Sequence, residues 1–241
     1  MSKCLIIGYG KMGRIHGKHL DELGVDWNYH DPFVSGGVPL ESRNYSHIIV
    51  STPIETHHEV YKGLDLFEGQ ILIEKPVVCE KEHLDTLLDE RVFPGLVERY
   101  NPVSQKLFQM TNVDHLNFSR HSSSDINPIL DVGIHDFDLA FMLLGESNWT
   151  IQSVTDRNIE AQIGNTAVVF SFKKSHKRQR RCLVNDNLID FDRQTFNGKE
   201  IEFQWPVKLE LEAFLSGRYP NLQIGHLSHS FMMDCLNFNQ D

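Results

Sequence analysis

Lys3-Cys4-Leu5-Ile6-Ile7-Gly8-Tyr9-Gly10-Lys11-Met12-Gly13 is the stretch whose reading decides the fold. Lys3 to Ile7 is a short apolar run that stops at a glycine, as a buried parallel strand does. Lys11 to Leu23 then shows helical spacing, with Met12, Ile15, His19, Leu20 and Leu23 near one face and Gly24 as the stop. A Gly-x-Gly-x-x-Gly between a strand and a helix has three physical uses. Gly8 allows the tight turn, Gly10 lets backbone approach a pyrophosphate, and Gly13 lets helix and strand pack closely. The helix N-terminus, at Lys11 and Met12, offers N–H groups and partial positive charge to phosphates. Asp31 ends the second strand at the distance expected of a carboxylate that accepts the adenosine ribose 2′-hydroxyl. Pro32 and Phe33 follow it, not Arg or Lys, so NAD is the expected cofactor and NADP the alternative.

Outward from the loop, Val25 to His30, His47 to Val50, Gln70 to Ile73 and Val92 to Val97 read as further strands, with helices at Ile54 to Phe67 and Glu80 to Glu90. Alternating strands and helices specify an α/β fold with a Rossmann-type, doubly wound parallel sheet. Pro32 to Arg43 is rich in Gly, Pro and Ser and short for a crossover helix, so this domain reads as trimmed. The pattern changes after Tyr100-Asn101-Pro102. One helix, Asp131 to Leu144, precedes strand-like runs at Thr150 to Thr155, Thr166 to Phe172, Arg180 to Val184, Leu188 to Phe191 and Glu200 to Gln204. Helical segments near Val207 to Leu215 and Leu227 to Leu236 finish the chain, and Leu209, Leu211, Phe214 and Leu215 read as a packing face. The expected division is a nucleotide-binding domain at 1–99 and an α+β domain at 100–241 with an open, mainly antiparallel sheet.

Bulk properties narrow the partners. The 241 residues carry a net charge of −10, which repels nucleic acid and anionic membrane surfaces. No apolar run approaches the roughly 20 residues that span a bilayer. Met1-Ser2-Lys3-Cys4 leads into the first strand with no separate apolar signal segment, and Cys4, Cys79, Cys182 and Cys235 are scattered singly; both suit a reducing cytoplasm. The histidines form no convincing ligand set, so no metal is expected. Lys173, Lys174, Lys177, Arg178, Arg180 and Arg181 read as a solvated hairpin flank, with a phosphate contact as the alternative.

Three more segments follow the glycine loop in order: Ser51-Thr52-Pro53-Ile54-Glu55-Thr56-His57, Glu74-Lys75-Pro76, and Asp131-Val132-Gly133-Ile134-His135-Asp136-Phe137-Asp138. With them the chain resembles the glucose–fructose oxidoreductase / inositol dehydrogenase / MocA (Gfo/Idh/MocA) family. Arg99-Tyr100-Asn101-Pro102 makes it look like the branch that acts on nucleotide-linked amino sugars. The resemblance implies an NAD(P)-dependent oxidoreductase that moves a hydride between a nicotinamide and a hydroxyl-bearing carbon of a sugar or nucleotide sugar. It implies cofactor contacts from Ser51, Thr52, Pro53, His57, Glu74 and Lys75, and catalytic roles for Lys75, His135 and Asp131. Arg99, Tyr100 and Asn101 would line the substrate side. Self-association as a homo-oligomer would use the open face of the second sheet. Asp131 and His135, four residues apart on a helix, share a face, so the carboxylate can orient the imidazole. The choice between Lys75 and His135 as proton acceptor stays open. Asp136 points away from that face and reads as structural or solvated. Two departures affect the substrate side: the chain is short for the family, and Ile126-Asn127-Pro128-Ile129-Leu130 replaces a Gly-rich stretch. A non-catalytic dinucleotide-binding regulator and a reductase of a non-sugar substrate are the competing readings.

Overall fold

A computed structural model describes residues 3–218 and 222–238. The chain forms two compact units, Met1–Leu96 with Val207–His226 and Val97–Pro206 with Leu227–Asp241. The first begins β1 (Lys3–Ile7), α1 (Lys11–Glu22), β2 (Asp26–His30), β3 (His47–Val50), α2 (His57–Lys62), β4 (Gln70–Glu74) and β5 (Val92–Gly95). Its five strands are all parallel, in the order β2-β1-β3-β4-β5. β1, β3 and β4 are covered on both faces, which is why they read as unbroken apolar runs. β1 is joined on one side by β2 and on the other by β3, so the strand order reverses there, and ligands bind outside the strand ends at such a point.

The segment between β2 and β3 carries only a 3₁₀ turn, Ser42–Asn44, and is trimmed as its composition indicates. The expected Ile54–Phe67 helix is shorter: a 3₁₀ turn at Ile54–Thr56 leads into α2, which stops before Gly63. The Glu80–Glu90 helix is a 3₁₀ segment, Lys81–Leu88. α1 is rotated from its expected face. It buries Gly13, His16, Gly17, His19 and Leu20, because small residues let it lie close to the sheet; a Cβ on Gly17 would stand 2.6 Å from the Trp27 ring.

The second unit adds α3 (Ser104–Leu107), β6 (His115–Ser122), α4 (Ile134–Leu144), β7 (Trp149–Val154), β8 (Asn158–Ile163), β9 (Thr166–Lys174), β10 (Gln179–Val184), β11 (Asn187–Asp190), β12 (Thr195–Phe196) and β13 (Lys199–Glu200). The eight strands run β13-β12-β11-β10-β6-β9-β8-β7, antiparallel except for β6 beside β9. Sequence patterning passes over β6 although it is central. Leu116, Phe118 and Arg120 alternate on its buried face, and the charge of Arg120 hides the apolar period.

α5 (Pro206–Leu215) and α6 (Leu222–Asn237) end the chain. Phe231 of α6 packs edge-on to Phe137 and Phe141 of α4, beside the Phe118–Phe170 stack of the sheet. α5 belongs to the first unit: the buried Phe214 ring sits 5.1 Å from His47 and 5.3 Å from Phe93. The single boundary at residue 99 therefore gives way to a discontinuous first unit, because the apolar face of α5 is satisfied on the parallel sheet. No described helix is long and apolar enough to cross a membrane.

Candidate functional site

The glycine loop runs between β1 and α1 at the reversal point. Gly8 has φ +91°, and a Cβ there would lie 2.8 Å from backbone atoms of Ser51 and Thr52. A Cβ on Gly13 would lie 2.2 Å from the Gly8 carbonyl oxygen, so helix and strand are in backbone contact. Gly10 differs: a Cβ there meets no heavy atom within 4 Å. Gly10 also caps α1 without a side-chain hydrogen bond, so no side chain of the cap competes for the first N–H groups, at Lys11 and Met12. Open space on one glycine, close contact on the other two and a bare helix N-terminus fit a dinucleotide pyrophosphate.

Asp31 does more than end β2. Its carboxylate accepts the Tyr9 N–H at 2.7 Å and the Phe33 N–H at 2.8 Å, which pins the loop while leaving lone pairs for a ribose hydroxyl. The Tyr9 ring stacks on Tyr29 at 3.9 Å, and the Arg14 guanidinium lies 4.7 Å from it. From the end of β3, the Ser51 hydroxyl donates to the Gly8 carbonyl at 2.7 Å. Thr52 is half-buried, its hydroxyl accepting from Thr56, and Pro53 is exposed.

Glu74 closes β4 and is buried. Its Oε1 lies 2.7 Å from Nε2 of His16 on α1, and its Oε2 accepts the Lys75 N–H at 3.3 Å. Burial raises the Glu74 pKa, but the His16 hydrogen bond and charge and the nearby Lys75 outweigh it, so the carboxyl titrates below its usual range. The Lys75–Pro76 peptide is cis, and Lys75 is half-buried. His57, expected at the cofactor, is 2% exposed, with Nδ1 2.9 Å from the Pro76 carbonyl and Nε2 2.9 Å from the Thr52 carbonyl. Both ring nitrogens are committed to backbone, so His57 braces two loops and does not face a ligand. His16 escapes the sequence reading because a lone histidine inside a helix carries no motif.

In the second unit, Asp131 lies in a π turn, Ile129–Gly133, that runs directly into α4. Turns of this kind recur at functional sites. Asp131 lines a cavity of about 290 Å³ with Ser122, Ser124, Arg157 and Phe172 among its other walls. His135, on the next turn, lies outside that lining and is 8% exposed, close enough to Glu98 to lower its pKa. Arg99 and Asn101 do not line a substrate face. Arg99 is buried, its Nε and Nη2 donating to Asp138 at 2.6 and 2.5 Å. Asn101 is fully buried and donates to Glu98 and to the Phe191 carbonyl. Tyr100 is half-buried. Around them runs a charged core: Arg120 binds Asp136 and Glu98, and Arg180 binds Glu98 and Asp192. Burial raises Glu98's pKa, but Arg180 and Arg120 overcome this and hold it at about 2. Burial pushes Asp136 up to about 6, even against Arg120. Among the described residues no three His, Cys, Asp or Glu side chains form a metal site.

No family model matches the chain. Its sequence is 23% identical over 213 residues to a myo-inositol 2-dehydrogenase of Thermotoga maritima, covering 68% of this chain and 63% of that one. The chain thus spans less than two thirds of that relative. Its fold matches the UDP-N-acetylglucosamine 3-dehydrogenase GnnA of Acidithiobacillus ferrooxidans with a TM-score of 0.82 at 20% identity, covering 97% of this chain and 96% of that one. It matches the WlbA (WbpB) dehydrogenase of Thermus thermophilus, solved with NAD and UDP-GlcNAcA, with a TM-score of 0.68 at 15% identity, covering 97% and 94%. The glycine loop, Ser51-Thr52-Pro53, Glu74-Lys75-Pro76 and Asp131-x-x-x-His135 stand in that order along the chain, and the likeness to these solved structures shows a shared fold.

Proposed function

We propose that this chain is an NAD-dependent dehydrogenase acting on a hydroxyl-bearing carbon of a sugar or nucleotide sugar. The observation that carries the reading is the open face at Gly10 together with a half-buried lysine, Lys75, beyond the end of β4 in the same sheet. When bound, the nicotinamide supplies the acceptor for the hydride. The glycine loop holds the pyrophosphate, and Asp31 accepts a ribose hydroxyl. Lys75 Nζ takes the proton from the substrate hydroxyl as its carbon is oxidised, and returns it in the reverse direction. Lys75 is preferred to His135 because His135 is buried beside the charged core. In the second unit, Asp131 offers a carboxylate to hydroxyl donors in a cavity of about 290 Å³. The relatives named for inositol and UDP-N-acetylglucosamine support the substrate class. Self-association through the second sheet belongs to the same reading and is checked by mass in solution.

The test is a screen of the purified protein with NAD or NADP against UDP-sugars, free sugars and inositols, read by absorbance of the reduced cofactor. Lys75→Met is expected to lower turnover by roughly 10²–10⁴ while NAD binding persists. Unchanged turnover removes Lys75 from the chemistry. NAD binding with no turnover on any of these compounds favours the regulator.

A further inference from the structure

We infer that His16 and Glu74 are positioning residues that hold Lys75 in its place beyond the end of β4. The inference rests on the reading of Lys75 as proton carrier. Within Glu-Lys-Pro, the first and third residues are buried and only Lys75 reaches partial exposure. Each buried neighbour is held by a different helix. The Glu74 carboxylate is pinned by His16 of α1 at 2.7 Å, across 58 residues of sequence, and the Pro76 carbonyl is held by His57 of α2 at 2.9 Å. The other Glu74 oxygen reaches back to the Lys75 N–H. His16 is fully buried, and its Nδ1 has no hydrogen-bond partner among the described residues. Nε2 faces the carboxylate oxygen and donates a proton to Glu74. A buried His–carboxylate pair is poor value as a stabiliser, since apolar residues of the same shape do as well. What it supplies is a fixed orientation for the residue that follows.

The experiment compares wild type with His16→Leu, His16→Gln, Glu74→Gln and Lys75→Met. Turnover and the KM for NAD are read with UDP-N-acetylglucosamine and myo-inositol as probes. Independently of activity, the NMR signals of [¹³C]-dimethylated lysines are recorded on the same proteins, and the Lys75 signal is assigned by its loss in Lys75→Met. His16→Leu is expected to lower kcat by about 10–10²-fold, the cost of a misplacement near 1 Å, with KM for NAD within about twofold. The Lys75 signal moves to the position of the exposed lysines. His16→Gln, whose amide N–H reaches the Nε2 position, restores both readouts. If His16→Leu fails to fold, the nearly isosteric Glu74→Gln takes its place with the same expected changes. An unmoved Lys75 signal, an unchanged kcat, or a His16→Gln as impaired as His16→Leu each overturns the inference. Full turnover in Lys75→Met sinks the proposed function instead, and a probe that gives no turnover leaves the NMR comparison to decide.

Discussion

Two alanines three residues apart are expected to fail in opposite ways. In Gly13→Ala the new Cβ starts 2.2 Å from the Gly8 carbonyl oxygen and 3.1 Å from the Ser51 hydroxyl. The oxygen must retreat by about 1 Å, an overpacking strain near the upper end of the usual ~1–3 kcal/mol. Alanine returns about 1 kcal/mol in helix propensity. The net loss is about 2 kcal/mol, which lowers the melting temperature of a chain this size by roughly 4–8 °C. In Gly10→Ala the Cβ meets no protein atom within 4 Å, so the ligand-free protein melts within about 2 °C of wild type. The same Cβ occupies the space assigned to the pyrophosphate, where ~1–3 kcal/mol of crowding weakens NAD by roughly 5–150-fold. Differential scanning fluorimetry without ligand and titration calorimetry with NAD separate the two effects. Wild-type NAD affinity in Gly10→Ala, or a ligand-free melting loss equal to that of Gly13→Ala, refutes the assignment of the open face.

Three further outcomes follow from the same geometry. Asp31→Ala removes the acceptor of two backbone N–H groups and of the ribose, so NAD affinity falls about tenfold or more and preference shifts toward NADP; an unaltered ratio of the two dissociation constants refutes the ribose contact. Arg99→Met leaves the buried Asp138 carboxylate with the Ser228 hydroxyl but without its cation and costs about 3–5 kcal/mol in urea unfolding, while Arg99→Met with Asp138→Leu recovers most of it; equal losses in the single and double variants speak against the pair. Glu98 titrates at about 2 instead of 4.5, so its contribution is complete above pH 4.5 and is lost as pH falls toward 2. The stability gap between wild type and Glu98→Gln is therefore expected to close over that range, and a gap independent of pH contradicts the ion pairs of Arg180 and Arg120.

The parallel sheet is legible because β1, β3 and β4 are covered on both faces and each strand ends at a glycine or proline signal. Ile48-Ile49-Val50 and Ile71-Leu72-Ile73 admit little else. α2 is misjudged in length because Leu64 and Phe67 are buried by turns and not by a continued helix, so the apolar spacing runs on past the last helical residue. The second unit is read less well, since its core is partly ionic. Arg120, Asp136 and Glu98 are sequence-distant, and each alone looks like a surface charge. Arg180 shares that fate: the basic run joins β9 to β10, which are not hairpin partners because β6 lies between them, and its residues divide between this exposed connection and the core, Arg180 pairing inward with Glu98 and Lys174 pairing with the exposed Asp125. Arg99 and Asn101 likewise sit in a motif that looks like a binding loop, but their partners, Asp138 and Phe191, come from later in the chain. Local patterning sees which residues are polar and not where their partners lie.

The return of α5 to the first sheet sets an order of events during synthesis. The last strand of that sheet is complete at Gly95, yet the helix that covers His47 and Phe93 begins about 110 residues later. At about 5–20 residues per second the ribosome needs roughly ten seconds to supply it. Throughout that interval the nascent first unit shows an uncovered apolar face to its surroundings, a surface that chaperones recognise. A fragment ending at residue 99 keeps that face for good, so dividing this chain at its apparent border is expected to yield a fragment that aggregates, and an intact first unit requires α5 in the same polypeptide or added in trans.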